Sequence, residues 1–180
     1  DKIHLTSGGY NTIKAGDLDD TVTIGSVSLG SSTSYTNNTV YAGDGNDTIT
    51  TYMKNTNIYG ENGNDAINLY KNNYIKVFNS ELFTVDGGEG DDTINAQTEN
   101  NVGLITGGNG SDVLNQKYNL TNSTSFETIN RELIEDNPYF NIDANTLTTV
   151  NMNGSQYQFF SNTAQTIYVN VDDEGYLQLQ

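Results

Sequence analysis

Cysteine is absent from this 180-residue chain, proline and histidine occur once each, and only 7 basic residues stand against 23 acidic ones. Without cysteine, no disulfide or thiolate metal site can staple the fold. A formal net charge of −16 repels phosphate backbones, which argues against nucleic acid as a partner and makes cations the natural counterpart. Long apolar runs are missing too. Nothing approaches the roughly 18 residues of a membrane span, and the first residues have neither the basic nor the apolar region of a signal peptide. The expectation is a soluble chain, excised from a longer one. Apolar content is low at 34%, and mean hydropathy is −0.57. With 18 glycines and 27 asparagines in place of a large apolar complement, turns must be numerous.

What is present is a repeat. Five segments align without gaps: AGDLDDTVT (15–23), AGDGNDTIT (42–50), GENGNDAIN (60–68), GGEGDDTIN (87–95) and GGNGSDVLN (107–115). Position six is always Asp (Asp20, Asp47, Asp65, Asp92, Asp112), and position eight is always aliphatic (Val22, Ile49, Ile67, Ile94, Leu114). Two residues before each segment lies another aliphatic, namely Ile13, Val40, Ile58, Val85 or Ile105. A short strand therefore enters each turn, a six-residue bend follows, and a second strand leaves with its inward side chain set by the period of two. Asp1, Lys2 and Ile3 read as positions six to eight of a further copy. Successive position-six residues are then 19, 27, 18, 27 and 20 apart, near 18 with insertions in two coils. Those insertions are expected at the opposite corner, around Ser31 to Asn38 and Lys71 to Glu81. The pattern predicts an all-β parallel solenoid whose acidic corner recurs once per coil.

These segments resemble the repeats-in-toxin nonapeptide G-G-x-G-x-D-x-U-x, a calcium-binding β-solenoid repeat. GGEGDDTIN and GGNGSDVLN match at every defined position. The others depart at Ala15, Leu18, Ala42 and Glu61. The resemblance covers about residues 1–115 and implies a parallel β-roll in which the first six residues of each repeat bind Ca²⁺ between stacked turns. It also implies type I secretion by a bacterium into a calcium-rich medium, outside the cell or on its surface. The second corner (Asn37-Asn38, Lys54-Asn55, Lys71 to Asn73, Asn100-Asn101) lacks the motif, so one ladder of ions is expected. Calcium takes about six to eight oxygens, mostly carbonyls with a few carboxylates. On this reading the metal site comprises Asp20, Asp47, Asp65, Asp92 and Asp112 with the turn residues Gly43, Gly45, Gly60, Asn62, Gly63, Gly87, Gly88, Gly90, Gly107, Gly108 and Gly110. About four or five ions fit between six rungs.

Residues 116–180 lose the repeat and are expected to form a small antiparallel β unit that caps or flanks the roll. Residues 125–137 read as a short helix, or their start as a degenerate coil, before Pro138 breaks any helix. TLTTVNMNGSQYQFF reads as a hairpin turning at Asn153-Gly154, and TIYVNVDDEGYLQL as another turning at Asp172 to Gly175. The aromatics Tyr139, Phe140, Tyr157, Phe159, Phe160 and Tyr168 are expected in its core. The function expected is a calcium-triggered folding and interaction module of an adhesin or toxin, joined to other domains of the parent protein. Catalysis is not expected, because one Arg, one His and six scattered Lys residues form no acid–base constellation. Ice binding would want a threonine rank at positions three and five, which is missing. The alternative is a carbohydrate-binding or accessory module of a secreted polysaccharide-active enzyme, with Tyr41, Tyr52, Tyr59 and Tyr70 on a flat face.

Overall fold

The computed structural model of the protein describes residues 1–6, 9–25, 37–52, 56–70, 84–97, 103–116, 123–132, 139–152, 155–171 and 177–179. Its elements there are all strands, in an order the repeat dictates. A strand that enters each turn alternates with one that leaves it, so the chain runs β1 (Lys2–Leu5), β2 (Thr12–Asp17), β3 (Thr21–Ile24), β4 (Asn38–Asp44), β5 (Thr48–Thr51) and β6 (Thr56–Asn62). It continues through β7 (Ala66–Leu69), β8 (Thr84–Glu89), β9 (Thr93–Ala96), β10 (Ile105–Asn109), β11 (Val113–Gln116) and the two-residue β12 (Ser123–Thr124). The last strands are β13 (Thr128–Glu132), β14 (Tyr139–Ile142), β15 (Leu147–Met152), β16 (Ser155–Phe160), β17 (Gln165–Val171) and β18 (Leu177–Leu179).

Leaving strands stack in one sheet, ordered β1-β3-β5-β7-β9-β11-β13-β15-β16, and entering strands in another, ordered β12-β10-β8-β6-β4-β2. All pairs are parallel except β15 with β16. Every coil thus contributes one strand to each face of a parallel β-solenoid. Register follows from the aligned aliphatics. Position eight forms a rank from Ile3 through Val22, Ile49, Ile67, Ile94 and Leu114 to Ile129. Opposite it, Ile13, Val40, Ile58, Val85 and Ile105 form a second rank. From Val22 to Leu114 and from Val40 to Ile105 both ranks are wholly buried and make up most of the core. A one-residue slip would turn either rank to solvent, which pins the register.

Parallel stacking does not stop at residue 115. Thr128–Glu132 pairs with β11, with Leu114 opposite Ile129, and Leu147–Met152 pairs in turn with β13. Residues 125–132 are therefore a degenerate coil, and the helix considered for this stretch is absent from its described part; residues 133–138 lie outside the described residues. The first expected hairpin is formed, with Met152 opposite Ser155, and its antiparallel β16 ends the large sheet. The second is formed by β17 and β18, with Val171 opposite Leu177. Tyr139–Ile142 joins it antiparallel as the edge of a three-stranded sheet. One expectation fails here. Tyr157 and Phe160 on β16 and Tyr168 on β17 are exposed rather than core and Phe159 is half-buried, while the side chains of Tyr139 and Phe140 lie outside what is described. The cluster Asp172 to Glu174, the two insertions apart from Asn37 and Asn38, and the second-corner residues after Asn38 fall outside the described residues. Among the described residues no helix is long and apolar enough to cross a membrane.

Candidate metal centre

Each acidic turn is built the same way. Positions two and four need left-handed backbone, which glycine adopts at little cost: φ is +112° at Gly43 and Gly108 and +128° at Gly63. The rungs also approach closely there. A Cβ added at Gly63 would lie 1.8 Å from the Gly45 carbonyl oxygen, and one at Gly110 would lie 1.9 Å from that of Gly90. Gly43, Gly45, Gly88, Gly90 and Gly108 have the same positive φ and the same backbone neighbour from the preceding rung. The two departures from the glycine pattern keep the conformation regardless, with φ +74° at Leu18 and +75° at Glu61. Non-glycine residues pay on the order of 1–2 kcal/mol for this.

Position six turns inward, and its five carboxylates form a buried row. Asp20, Asp47, Asp65, Asp92 and Asp112 are all 3% exposed or less. In each, Oδ1 accepts the backbone N–H of the equivalent residue one rung earlier: Asp20 N–H to Asp47 at 2.7 Å, Asp47 to Asp65, Asp65 to Asp92 and Asp92 to Asp112 at 2.8 Å. The N-terminal ammonium of Asp1 takes the corresponding place on Asp20 Oδ1. The other oxygen, Oδ2, is buried without a hydrogen-bond partner in all five residues. It points into the turn: a Cβ on Gly60 would lie 2.2 Å from Asp65 Oδ2 and 2.1 Å from the Gly87 carbonyl oxygen. Gly87 repeats this with Asp92 Oδ2 at 2.3 Å and the Gly107 oxygen at 2.2 Å, and Gly107 with Asp112 Oδ2 and the Ser125 oxygen. In these three turns carboxylate and carbonyl oxygens therefore border one small volume, kept open because Gly60, Gly87 and Gly107 have no side chain, whereas position one is alanine in the first two turns.

The electrostatics are those of carboxylates taken out of water. Burial pushes the carboxyls of Asp47 and Asp112 up from the usual range, that of Asp65 to about 6 and that of Asp92 to about 7. The accepted N–H bonds oppose this and neighbouring carboxylates add to it. Among the described residues no three His, Cys, Asp or Glu side chains converge into a metal-holding group. A cation here would meet one or two carboxylates and several carbonyls, a donor set of the kind calcium accepts. The Asn62 side chain lies outside the buried row. It is exposed and donates to Asp44 Oδ1 at 2.7 Å, while its backbone carbonyl accepts the Gly45 N–H at 2.9 Å.

Three features went unread in the sequence. Glu127 closes the row by accepting the Asp112 N–H at 2.6 Å, on a turn shortened to Ser125-Phe126-Glu127. The signal was Glu127-Thr128-Ile129-Asn130, which repeats Asp92-Thr93-Ile94-Asn95 with one extra methylene. Position five carries an exposed ladder of opposite polarity: Asp19, Asn46, Asn64 and Asp91 each accept the N–H of position five on the next rung, at 2.8–2.9 Å. Position nine carries an amide ladder, in which Asn130 donates to Asn115, Asn115 to Asn95, and Asn95 to Asn68 at 2.7–2.8 Å, ending at Thr50.

Comparison of the chain with protein-family models, with curated proteins and with solved structures gives no match in any of the three.

Proposed function

We propose that this chain is a calcium-binding module, folded by calcium, of a larger secreted bacterial protein of adhesin or toxin type. Its role is structural and interactive rather than catalytic. The observation that carries the reading is the row of five buried carboxylates, each with one oxygen satisfied by an N–H and the other without a partner. A buried unsatisfied charge of this kind costs several kcal/mol, and five stacked in register imply a shared counter-ion system. Carbonyl oxygens border the same volumes as three of the free carboxylate oxygens. The residues that would hold the ions are Asp20, Asp47, Asp65, Asp92 and Asp112, with backbone oxygens of the glycine turns. Three such volumes lie at Gly60, Gly87 and Gly107, and the three-residue sixth turn closes the last of them.

A bound cation would supply the positive charge that lets the carboxylates stay ionised while buried, so binding and folding become one event. Extracellular calcium modules bind at about 10⁻⁴–10⁻³ M. A carbohydrate platform gains no support from the tyrosines. Tyr41 and Tyr59 stack on each other at 5.1 Å and 12°, Lys14 covers Tyr41 at 5.8 Å, and Tyr52 stacks on Tyr70 at 5.2 Å. Stacking uses up ring faces that a sugar would need. The test is a Ca²⁺ titration followed by far-UV circular dichroism and small-angle scattering, with Mg²⁺ as control. A cooperative collapse to a compact β form at roughly millimolar Ca²⁺, absent with Mg²⁺, is expected. A compact β fold already complete in chelator at neutral pH would refute the proposal.

A further inference from the structure

Two turns share the dipeptide Asn-Gly at positions three and four: Asn62-Gly63 in the third and Asn109-Gly110 in the fifth. Both asparagines are exposed, and both hold their side-chain amide the same way. Asn62 Nδ2 donates to Asp44 Oδ1 at 2.7 Å, and Asn109 Nδ2 to Glu89 Oε1 at 2.8 Å. They differ in the backbone N–H that follows. Along the coil, the position-four N–H is covered by the position-three carbonyl of the next rung: Gly45 donates to Asn62, Gly63 to Glu89 and Gly90 to Asn109, at 2.8–2.9 Å. Gly110 has no such acceptor among the described residues, because the sixth turn is cut to Ser125-Phe126-Glu127 and has no position three. Gly110 is itself exposed.

We infer that Asn109 is a site of spontaneous deamidation and isoaspartate formation, and that Asn62 is protected by the rung above it. The Gly110 nitrogen loses its proton to solvent base and attacks Asn109 Cγ. The new C–N bond closes a succinimide as the Cγ–Nδ2 bond breaks and ammonia leaves. Water then opens either imide carbonyl, giving aspartate or isoaspartate. At Asn62 the attacking nitrogen would first have to give up its 2.8 Å bond to the Glu89 carbonyl. A hydrogen bond of ordinary strength slows that step by about tenfold. The modification at Asn109 replaces the donor that faces Glu89 with an acceptor, and the isoaspartate product adds a backbone atom to the last full turn.

The inference rests on the coil geometry and stands whether or not calcium is the counter-ion. The folded chain, with its β structure verified by circular dichroism, is incubated at mildly alkaline pH and sampled over days by peptide mapping and mass spectrometry. A parallel sample is held in denaturant. Deamidation at Asn109 about tenfold faster than at Asn62 in the folded chain, with near-equal rates in denaturant, is the expected result. Equal rates in the folded chain would overturn the inference. So would an Asn109 excess that persists in denaturant, since sequence context and not the missing rung would then set it.

Discussion

Each coil carries two polar ladders a few residues apart, and they solve the same problem differently. The position-nine row of Asn68, Asn95, Asn115 and Asn130 closes on itself, because an amide both donates and accepts and each rung completes the next. The position-six row of Asp20 to Asp112 cannot, because an ionised carboxylate only accepts. One oxygen takes an N–H from the neighbouring rung and the other is left over, five times. Stacking therefore stabilises the amide row unaided, while the carboxylate row calls for a proton or a cation. Position six is also buried and position nine half-exposed, so the unmet demand falls where water cannot relieve it.

The strongest way to break the comparison is through the turn backbone. Gly63→Ala forces a Cβ to 1.8 Å from the Gly45 carbonyl oxygen at a positive φ. It should cost about 2–4 kcal/mol and abolish calcium-dependent folding. Circular dichroism over a Ca²⁺ titration checks this, and an unchanged midpoint would show that the turns are looser than described.

Acidity comes next. Because burial raises the Asp65 carboxyl to about 6 and that of Asp92 to about 7 from 3.8, the folded chain holds protons that the unfolded chain has released. Their contribution is fully present below 3.8 and is lost as pH rises through about 6 to 7. In chelator, β structure should therefore be present at pH 4.5 and lost by pH 7.5. With saturating Ca²⁺ the trend should reverse, since protons compete with the metal. Parallel pH trends in chelator and in calcium would contradict the assignment of these carboxylates.

The amide row should respond to neither. Asn95→Ala removes a bond given to Asn68 and one taken from Asn115, at about 1–2 kcal/mol, with the same loss in calcium at neutral pH and in chelator at pH 4.5. Chemical denaturation under both conditions tests that equality. The smallest effect is expected at Leu18, 78% exposed with φ +74°. Leu18→Gly should stabilise by up to about 1 kcal/mol, as relief of left-handed strain outweighs added chain entropy. A lower denaturation midpoint would mean the Leu18 side chain packs on something that matters.

Much of this was written in the sequence, because a solenoid turns three-dimensional register into linear spacing. Ile58 and Ile67 bracket their turn nine residues apart, and the equivalent pairs fall into two buried ranks. The five aspartates align for the same reason. Glu127 escaped because its turn is three residues short, which breaks the count while the longer side chain still reaches the Asp112 N–H. The opposite polarities of the position-five and position-six ladders could not be read either. They depend on which way each side chain leans along the stack, and spacing does not encode that.

Asp92→Asn tests the difference between the two ladders most directly. The side-chain oxygen can still accept the Asp65 N–H, while the new amide faces the Gly107 carbonyl that borders the same volume above Gly87. The variant thus carries the self-satisfying group of position nine into position six. At neutral pH, variant and parent are compared by far-UV circular dichroism in chelator and by melting in millimolar Ca²⁺. The account predicts a crossover, with the variant keeping more β structure than the parent in chelator and melting lower than the parent in calcium. A variant destabilised in both conditions, or one that gains as much from Ca²⁺ as the parent, would contradict it.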